Sequence, residues 1–267
     1  PVILNSQLTW SGNLSEWKLR ADGDLQRGKE SAKFSFTGNG GQESIDISEL
    51  ELKTAKGGLL GKLHAQWQPT LEFAFNGNLK QFDPSYFYPD YAGAVDASLI
   101  LNVKQLSDKP WQGKVVIEKL GGHLRGRVLA GNADVAFNGL NISGDADLKI
   151  GSSNLLVKGS GNEIIDVLTE FKPLNFNDLN PQWSGSLKGK VVLKGARSNP
   201  LYDVQLVGEK IAMLDYRADY VLLQGNTISG NRTQLIMRDA FIGDQNIEQI
   251  QTELIGKLSD AQLQVTV

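Results

Sequence analysis

The side chains able to do chemistry in this sequence are few and scattered. There are two histidines, no cysteine and thirty carboxylates. His64 and His123 lie far apart, and neither belongs to an H-x-x-x-H or cysteine-paired motif with metal-ligand spacing. Each reads as a surface or internally satisfied histidine. Gly38-Asn39-Gly40-Gly41 is glycine-rich but lacks the Lys-Ser/Thr that lets a phosphate loop hold a nucleotide, and it follows a strand pattern without opening a helix. Asp22-Gly23-Asp24 and Gly144-Asp145-Ala146-Asp147 set carboxylates beside a glycine, yet no glutamate closes a twelve-residue calcium loop. They read as solvated turns. Ser152, Ser153 and Thr9 have no base partner in view, and nothing marks one carboxylate pair above the others for acid–base work. The sequence therefore implies a non-enzymatic protein with no cofactor and no metal.

Lys188, Lys190 and Lys194 alternate with apolar residues and form one basic strand face. Single-stranded nucleic acid would want aromatics interleaved on that face. None are, and 27 basic against 30 acidic residues leave the chain slightly acidic. The face reads as solvated, with no nucleic-acid partner. Apolar residues make up 40% of the chain, and no apolar run approaches the roughly 18–20 residues that cross a bilayer. The chain opens on Pro1 without a signal-type apolar segment, so the expectation is a soluble piece of something longer.

Period-two alternation dominates, the mark of strands apolar on one face only. Phe34 and Phe36, then Leu71, Phe73 and Phe75, open the pattern. The longest clean stripe is Val95, Ala97, Leu99, Leu101 and Val103, with Asp96, Ser98 and Asn102 facing the other way. Val115 and Ile117, Val135 and Phe137, Leu148 and Ile150, and Leu155 and Val157 continue it. Leu187, Val191 and Leu193 follow, then Val204 with Leu206, and Leu235 with Met237. Parity changes between Ile47 and Leu50, which predicts a bulge or tight turn there. Asn76-Gly77-Asn78 reads as a turn. About twenty short strands result, and crossover helices are missing, so the class is all-β: a long sheet, sandwich, barrel or solenoid. One stretch, Glu163–Phe171, carries Ile164, Val167, Leu168 and Phe171 at helical spacing and predicts a one- or two-turn helix, with a strand as the other reading. Tyr86–Tyr91 is an aromatic connection pinned by Pro84 and Pro89.

A motif recurs along this pattern. Asn180–Gly195 (NPQWSGSLKGKVVLKG) answers Tyr88–Leu101 (YPDYAGAVDASLIL), and Trp10, Gly12 and Leu14 form a shorter copy. The shared order is aromatic-x-Gly-x-aliphatic and then a strand. Trp10, Tyr91 and Trp183 are expected at equivalent positions, each covering the glycine two residues on (Gly12, Gly93, Gly185). A period of roughly 90 residues predicts an array with units at about 8–88, 89–180 and 181–267, each burying its apolar face by joining its neighbours.

The repeated aromatic-x-Gly-x-aliphatic strand, the Asp83-Pro84 and Asn180-Pro181 pairs before it, and the run of one-sided strands resemble the TamB family. Its members are inner-membrane-anchored subunits of the translocation and assembly module and relatives of the AsmA-like bridge proteins. The resemblance implies an elongated, curved sheet folded into a taco-like groove, apolar inside and polar outside, with at most one or two short helices. It implies a periplasmic location, anchored to the inner membrane in the full-length protein. It implies phospholipid movement to the outer membrane, outer-membrane biogenesis, and an outer-membrane barrel partner met through parts outside this chain. The stripes listed above would then line the groove and meet phospholipid acyl chains. A different reading is a chaperone-like scaffold that templates outer-membrane strands at an open sheet edge.

Overall fold

In a computed structural model the described residues are 2–243, 245–257 and 260–266. They form two compact units, Pro1–Gly139 and Leu140–Val267. The fold is all-β, and in each unit successive strands pair antiparallel with the next in sequence. The first unit holds β1 (Ile3–Asn13), β2 (Glu16–Arg27), β3 (Glu30–Gly40), β4 (Ser44–Thr54), β5 (Gly58–Gln66), β6 (Leu71–Phe82), β7 (Gly93–Gln105), β8 (Gln112–Leu124) and β9 (Arg127–Asn138). The second holds β10 (Asn141–Ile150), β11 (Ser153–Gly161), β12 (Ile164–Asn175), the single-turn helix α1 (Phe176–Leu179), β13 (Ser184–Ala196), β14 (Leu201–Met213), β15 (Tyr216–Asn226), β16 (Arg232–Ile242), β17 (Gln245–Lys257) and β18 (Asp260–Thr266).

Local sequence explains the hairpins. Two-residue connections at Gly28-Lys29, Arg125-Gly126 and Leu214-Asp215 carry positive φ at Gly28, Arg125, Gly126 and Leu214, the backbone hand that matches strand twist. The predicted parity break is a bulge: Gly38 faces Ile47 and Thr37 faces Glu49, leaving Ser48 unpaired, and its hydroxyl donates to the Thr37 carbonyl at 3.2 Å. Further bulges fall at Gln81, Lys119 and Lys210, each with positive φ, and such insertions bend and twist a strand. The Gln81 bulge is braced by Asp96, which accepts from the Gln81 backbone N–H at 3.0 Å and its side chain at 2.7 Å.

Some expectations are corrected. The 163–171 segment is not helical but runs into β12. Val167 pairs with Leu193 and Phe171 with Gly189 on one face, while Leu168 pairs with Val192 on the other. Apolar residues on both faces of a strand mimic helical spacing, and the β-branched Ile164, Ile165 and Val167 favour the strand. Asn76-Gly77-Asn78 lies inside β6 and not in a turn. Asp22 and Asp24 sit within β2, opposite Ser35 and Lys33, and Asp145 and Asp147 within β10, so neither aspartate cluster is a loop.

Between β6 and β7 the chain makes two 3-10 turns, Pro84–Tyr86 and Pro89–Tyr91, each with proline at its first position. Asp83 caps the first. Its carboxylate accepts from the N–H groups of Ser85 and Gly93, both at 3.0 Å, and from Lys56 at 3.1 Å. Burial pushes the Asp83 carboxyl up, but the hydrogen bonds from Ser85, Gly93 and Lys56 outweigh it and hold the pKa at about 2. Tyr86 is 4% exposed, and its hydroxyl donates to the Leu25 carbonyl at 2.6 Å. The 83–91 segment thus reaches back to β2. It lies across this end of the first unit as a plug. Unit 2 has a counterpart before β13: Asp178 of α1, also buried, accepts from the Ser152 N–H at 3.0 Å and from the hydroxyls of Ser152 at 3.1 Å and Ser153 at 2.8 Å.

Asp83→Ala should lower stability by about 1–3 kcal/mol, since it strips an acceptor from two N–H groups and an ammonium. The folded carboxyl titrates below its ordinary value of 3.8. The stabilisation from its charge is therefore complete above about pH 4 and is lost as pH falls toward 2. Urea unfolding of the native chain and of the variant across that range should show the gap between them narrowing.

Candidate functional site: an uncovered apolar face

Residues directly opposite each other on antiparallel strands share a face, so register alone shows which side chains the fold gathers. In the first unit one row runs Trp10, Leu19, Gly38, Ile47, Leu63, Phe75, Leu101, Val115, Val135. A parallel row runs Leu8, Ala21, Phe36, Leu50, Gly61, Gly77, Leu99, Ile117, Ala133. Phe34, Val95 and Ala97 extend this face at one end; Leu71, Phe73, Val103 and Phe137 extend it at the other. The second unit repeats the arrangement. Leu148, Leu155, Phe171, Gly189, Leu206, Leu223 and Leu235 form one row. Ala146, Val157, Thr169, Val191, Val204 and Gly225 form the next. Ile150, Leu187, Leu193 and Met237 lie on the same face as these rows. Every apolar stripe residue named from the sequence therefore falls on the apolar face of its own unit.

Among the described residues no second sheet or long helix packs over these faces. Among the described residues no large side chain is fully buried, and the buried apolar residues are Tyr86 and small or β-branched ones such as Ala21, Ala97, Val204 and Ala240. The chain exposes 16519 Å². Two separate compact bodies, each of half its 29.1 kDa, would expose only about 13,800 Å² together. The apolar side chains shelter one another along the sheet instead. Leu59 and Leu63 on the apolar face are half-buried, whereas Leu60 between them, on the polar face, is 57% exposed.

Aromatic rings help to seal this surface by lying over glycines. A Cβ at Gly77 or Gly61 would meet the Phe75 ring, one at Gly23 would meet Phe34, one at Gly113 Phe137, and one at Gly40 Trp17. The motif glycines behave differently. At Gly12, Gly93 and Gly185 the nearest atoms are backbone atoms of the neighbouring strand, so the expected covering by Trp10, Tyr91 and Trp183 is not what fills them. Tyr91 and Trp183 do take corresponding places shortly before a strand, Tyr91 closing a 3-10 turn and Trp183 following α1. Trp10 lies inside β1. The aromatic–glycine partners actually used sit on neighbouring strands or two residues apart within one, and only the register identifies most of them.

The opposite face is charged and solvated. Lys188, Lys190 and Lys194 face Glu209, Asp203 and Asp166 at 3.6, 3.8 and 3.8 Å, so the basic strand face is answered by carboxylates of adjacent strands, as its solvated reading implied. His64 Nδ1 lies 2.7 Å from Asp46 as a cross-strand pair on the polar face of the first unit. An open depression between Ser35, Glu51, Lys62 and Asn78 lies here too, but its polar groups spread along the strands and do not converge. Sequence reading missed one feature of this side: Ile100 beside Val116, and Val207, Leu222 and Ile236 in one row. Consecutive apolar runs such as Leu99-Ile100-Leu101 were the available signal.

Phe75→Ala should cost about 1–3 kcal/mol, because it uncovers Gly61 and Gly77 as well as removing the ring. Leu60→Ala, on the wet face, should stay within about 0.5 kcal/mol of the native chain. Chemical denaturation of the two variants side by side tests whether the sheet's stability resides in one face.

A family model described as TamB, N-terminal domain, matches residues 2–267, so the chain belongs to the TamB family. No curated protein and no solved structure matches it. At the level of the family this gives a TamB-type role in outer-membrane assembly and lipid transport. Among the described residues no helix is long and apolar enough to cross a membrane.

Proposed function

We propose that the apolar face of each unit is a non-enzymatic track for phospholipid acyl chains, serving lipid passage between inner and outer membrane in the periplasm. The observation that carries this reading is the pair of apolar rows across the nine strands of the first unit, with shorter rows in the second, and no second sheet over either among the described residues. An acyl chain is the chemical complement of such a face: it needs no hydrogen bonds and offers methylene groups worth roughly 0.8 kcal/mol each on leaving water. A chain of about sixteen carbons therefore has a driving force on the order of 10 kcal/mol before ordering costs. The sheet suits the task because its backbone donors and acceptors are paired with neighbouring strands and do not compete for the ligand. Anchoring to the inner membrane and contact with an outer-membrane barrel fall, on this reading, to parts of the protein beyond this chain.

The test places a carboxylate in the row. Leu99→Asp in the first unit or Leu193→Asp in the second should leave a folded chain, because an open face lets the new charge reach water. A closed core would make the same charge cost several kcal/mol. Photo-crosslinking from position 101 should report phospholipid in the native chain and a loss of most of that signal in Leu99→Asp. Undiminished crosslinking in a folded variant would count against an acyl track and favour the scaffold that templates strands. Unfolding or aggregation of both variants would show that the face is a core.

A further inference from the structure

The plug at residues 83–91 collects cations from three separate hairpins. Arg27, at the end of β2, donates to the Tyr86 carbonyl at 3.1 Å and also to that of Phe87. Lys56, from the β4–β5 hairpin, reaches Asp83 at 3.1 Å. Arg125, from the β8–β9 hairpin, stands 5.7 Å over the Tyr91 ring, and its backbone N–H donates to the Ala92 carbonyl at 2.6 Å. The partners of Arg27 here are neutral carbonyls, which orient the guanidinium without cancelling its charge. Exposed Lys29 stands two residues further along the same turn.

The plug also turns aromatic rings outward. Tyr88 is 68% exposed, and Phe87 and Tyr91 are exposed beside it. Tyr88 and Tyr91 meet edge to face with centroids 6.4 Å apart, while Phe87 is braced by Phe82 at 6.2 Å and Tyr86 at 5.0 Å. Braced aromatic rings ringed by Lys and Arg are the composition that sits at the headgroup level of a bilayer. The two ends of the first unit differ in charge. Turns at the plug end carry Arg27, Lys29, Lys56, Arg125 and Arg127 against Glu30, Asp83 and Asp90, with Lys56 and Asp83 paired to each other. Turns at the other end carry Glu16, Glu43 and Asp108 against Lys109.

We propose that the plug end of the first unit docks on an anionic lipid bilayer, its basic hairpin rim meeting headgroup phosphates while Phe87, Tyr88 and Tyr91 enter the interfacial layer. This rests on the acyl-track reading and adds the point at which the chain meets a membrane. Charge complementarity selects the occupant: phosphate-bearing lipid supplies the anions, and the interfacial layer supplies a place for exposed rings.

Flotation of the chain with phosphatidylglycerol vesicles at low salt should show binding, with little on phosphatidylcholine vesicles. Raising salt to about 0.5 M should weaken it, because exposed charges are screened beyond a few ångströms there. Lys29→Glu combined with Tyr88→Ser, both at exposed positions, should reduce binding about tenfold without changing the melting temperature. Lys109→Glu at the other end should leave it unchanged. No binding to the anionic vesicles, equal binding to both compositions, or equal losses from variants at the two ends would overturn the proposal. So would displacement from the vesicles by millimolar inorganic phosphate or by single-stranded RNA, which would assign the rim to a small anion or to nucleic acid. Leu99→Asp separates the two readings. It should abolish acyl-chain crosslinking while vesicle binding persists, whereas the plug variant should do the reverse.

Discussion

Cross-strand register is the constraint on which everything else in this molecule depends. A shift of one residue between any two neighbours would turn that strand's apolar set to the wet side. Strands that are apolar on one side, with no second layer over them, gain their stability along the sheet. Each side chain is sheltered by the ones directly opposite and two positions away, so a single misregistered hairpin would break a row that crosses the unit. The devices that fix register are correspondingly local: positive-φ two-residue turns, the Ser48 and Gln81 bulges, and the ion pairs between Lys188, Lys190, Lys194 and the carboxylates of adjacent strands. The ion pairs lie on solvated surface and contribute little energy each, but they oppose slippage, since a one-residue slip would place these lysines beside different partners.

The same constraint underlies the proposed acyl track. A packed second layer would have consumed the apolar face; leaving it open yields a surface whose chemistry is uniform along each row and therefore suited to a ligand that moves. Small residues make this possible at close quarters. Where Gly61 faces Gly77, the row would have a gap, and the Phe75 ring lies across it. The plug ties one end of the first unit together through contacts spanning some sixty residues, from Leu25 and Arg27 to Tyr86 and Phe87.

Much of this was legible in the sequence because period-two alternation is a local signal. The stripe from Val95 to Val103 names its own face, and the parity break between Ile47 and Leu50 names its bulge. What was not legible depends on partners far along the chain. Glu163–Phe171 has helical spacing, and only the neighbours β11 and β13, which supply backbone hydrogen bonds on both sides, settle it as a strand. Trp10 shares a motif with Tyr91 and Trp183, but its place inside β1 follows from pairing with Leu19 and not from the motif. The aromatic–glycine contacts mostly cross strands, so spacing within one segment cannot reveal them. The buried Asp83 and Asp178 look like any other surface carboxylates until the turns they cap are folded around them.

The central claim is that the open apolar faces hold acyl chains. Native mass spectrometry of the chain purified without detergent, with phospholipid extracted from the same sample, tests it most directly. The account predicts mass increments matching intact phospholipids on the native chain and their loss from a folded Leu101→Asp variant. A chain that carries no lipid after incubation with phospholipid vesicles, or one whose bound lipid is indifferent to that substitution, would contradict it.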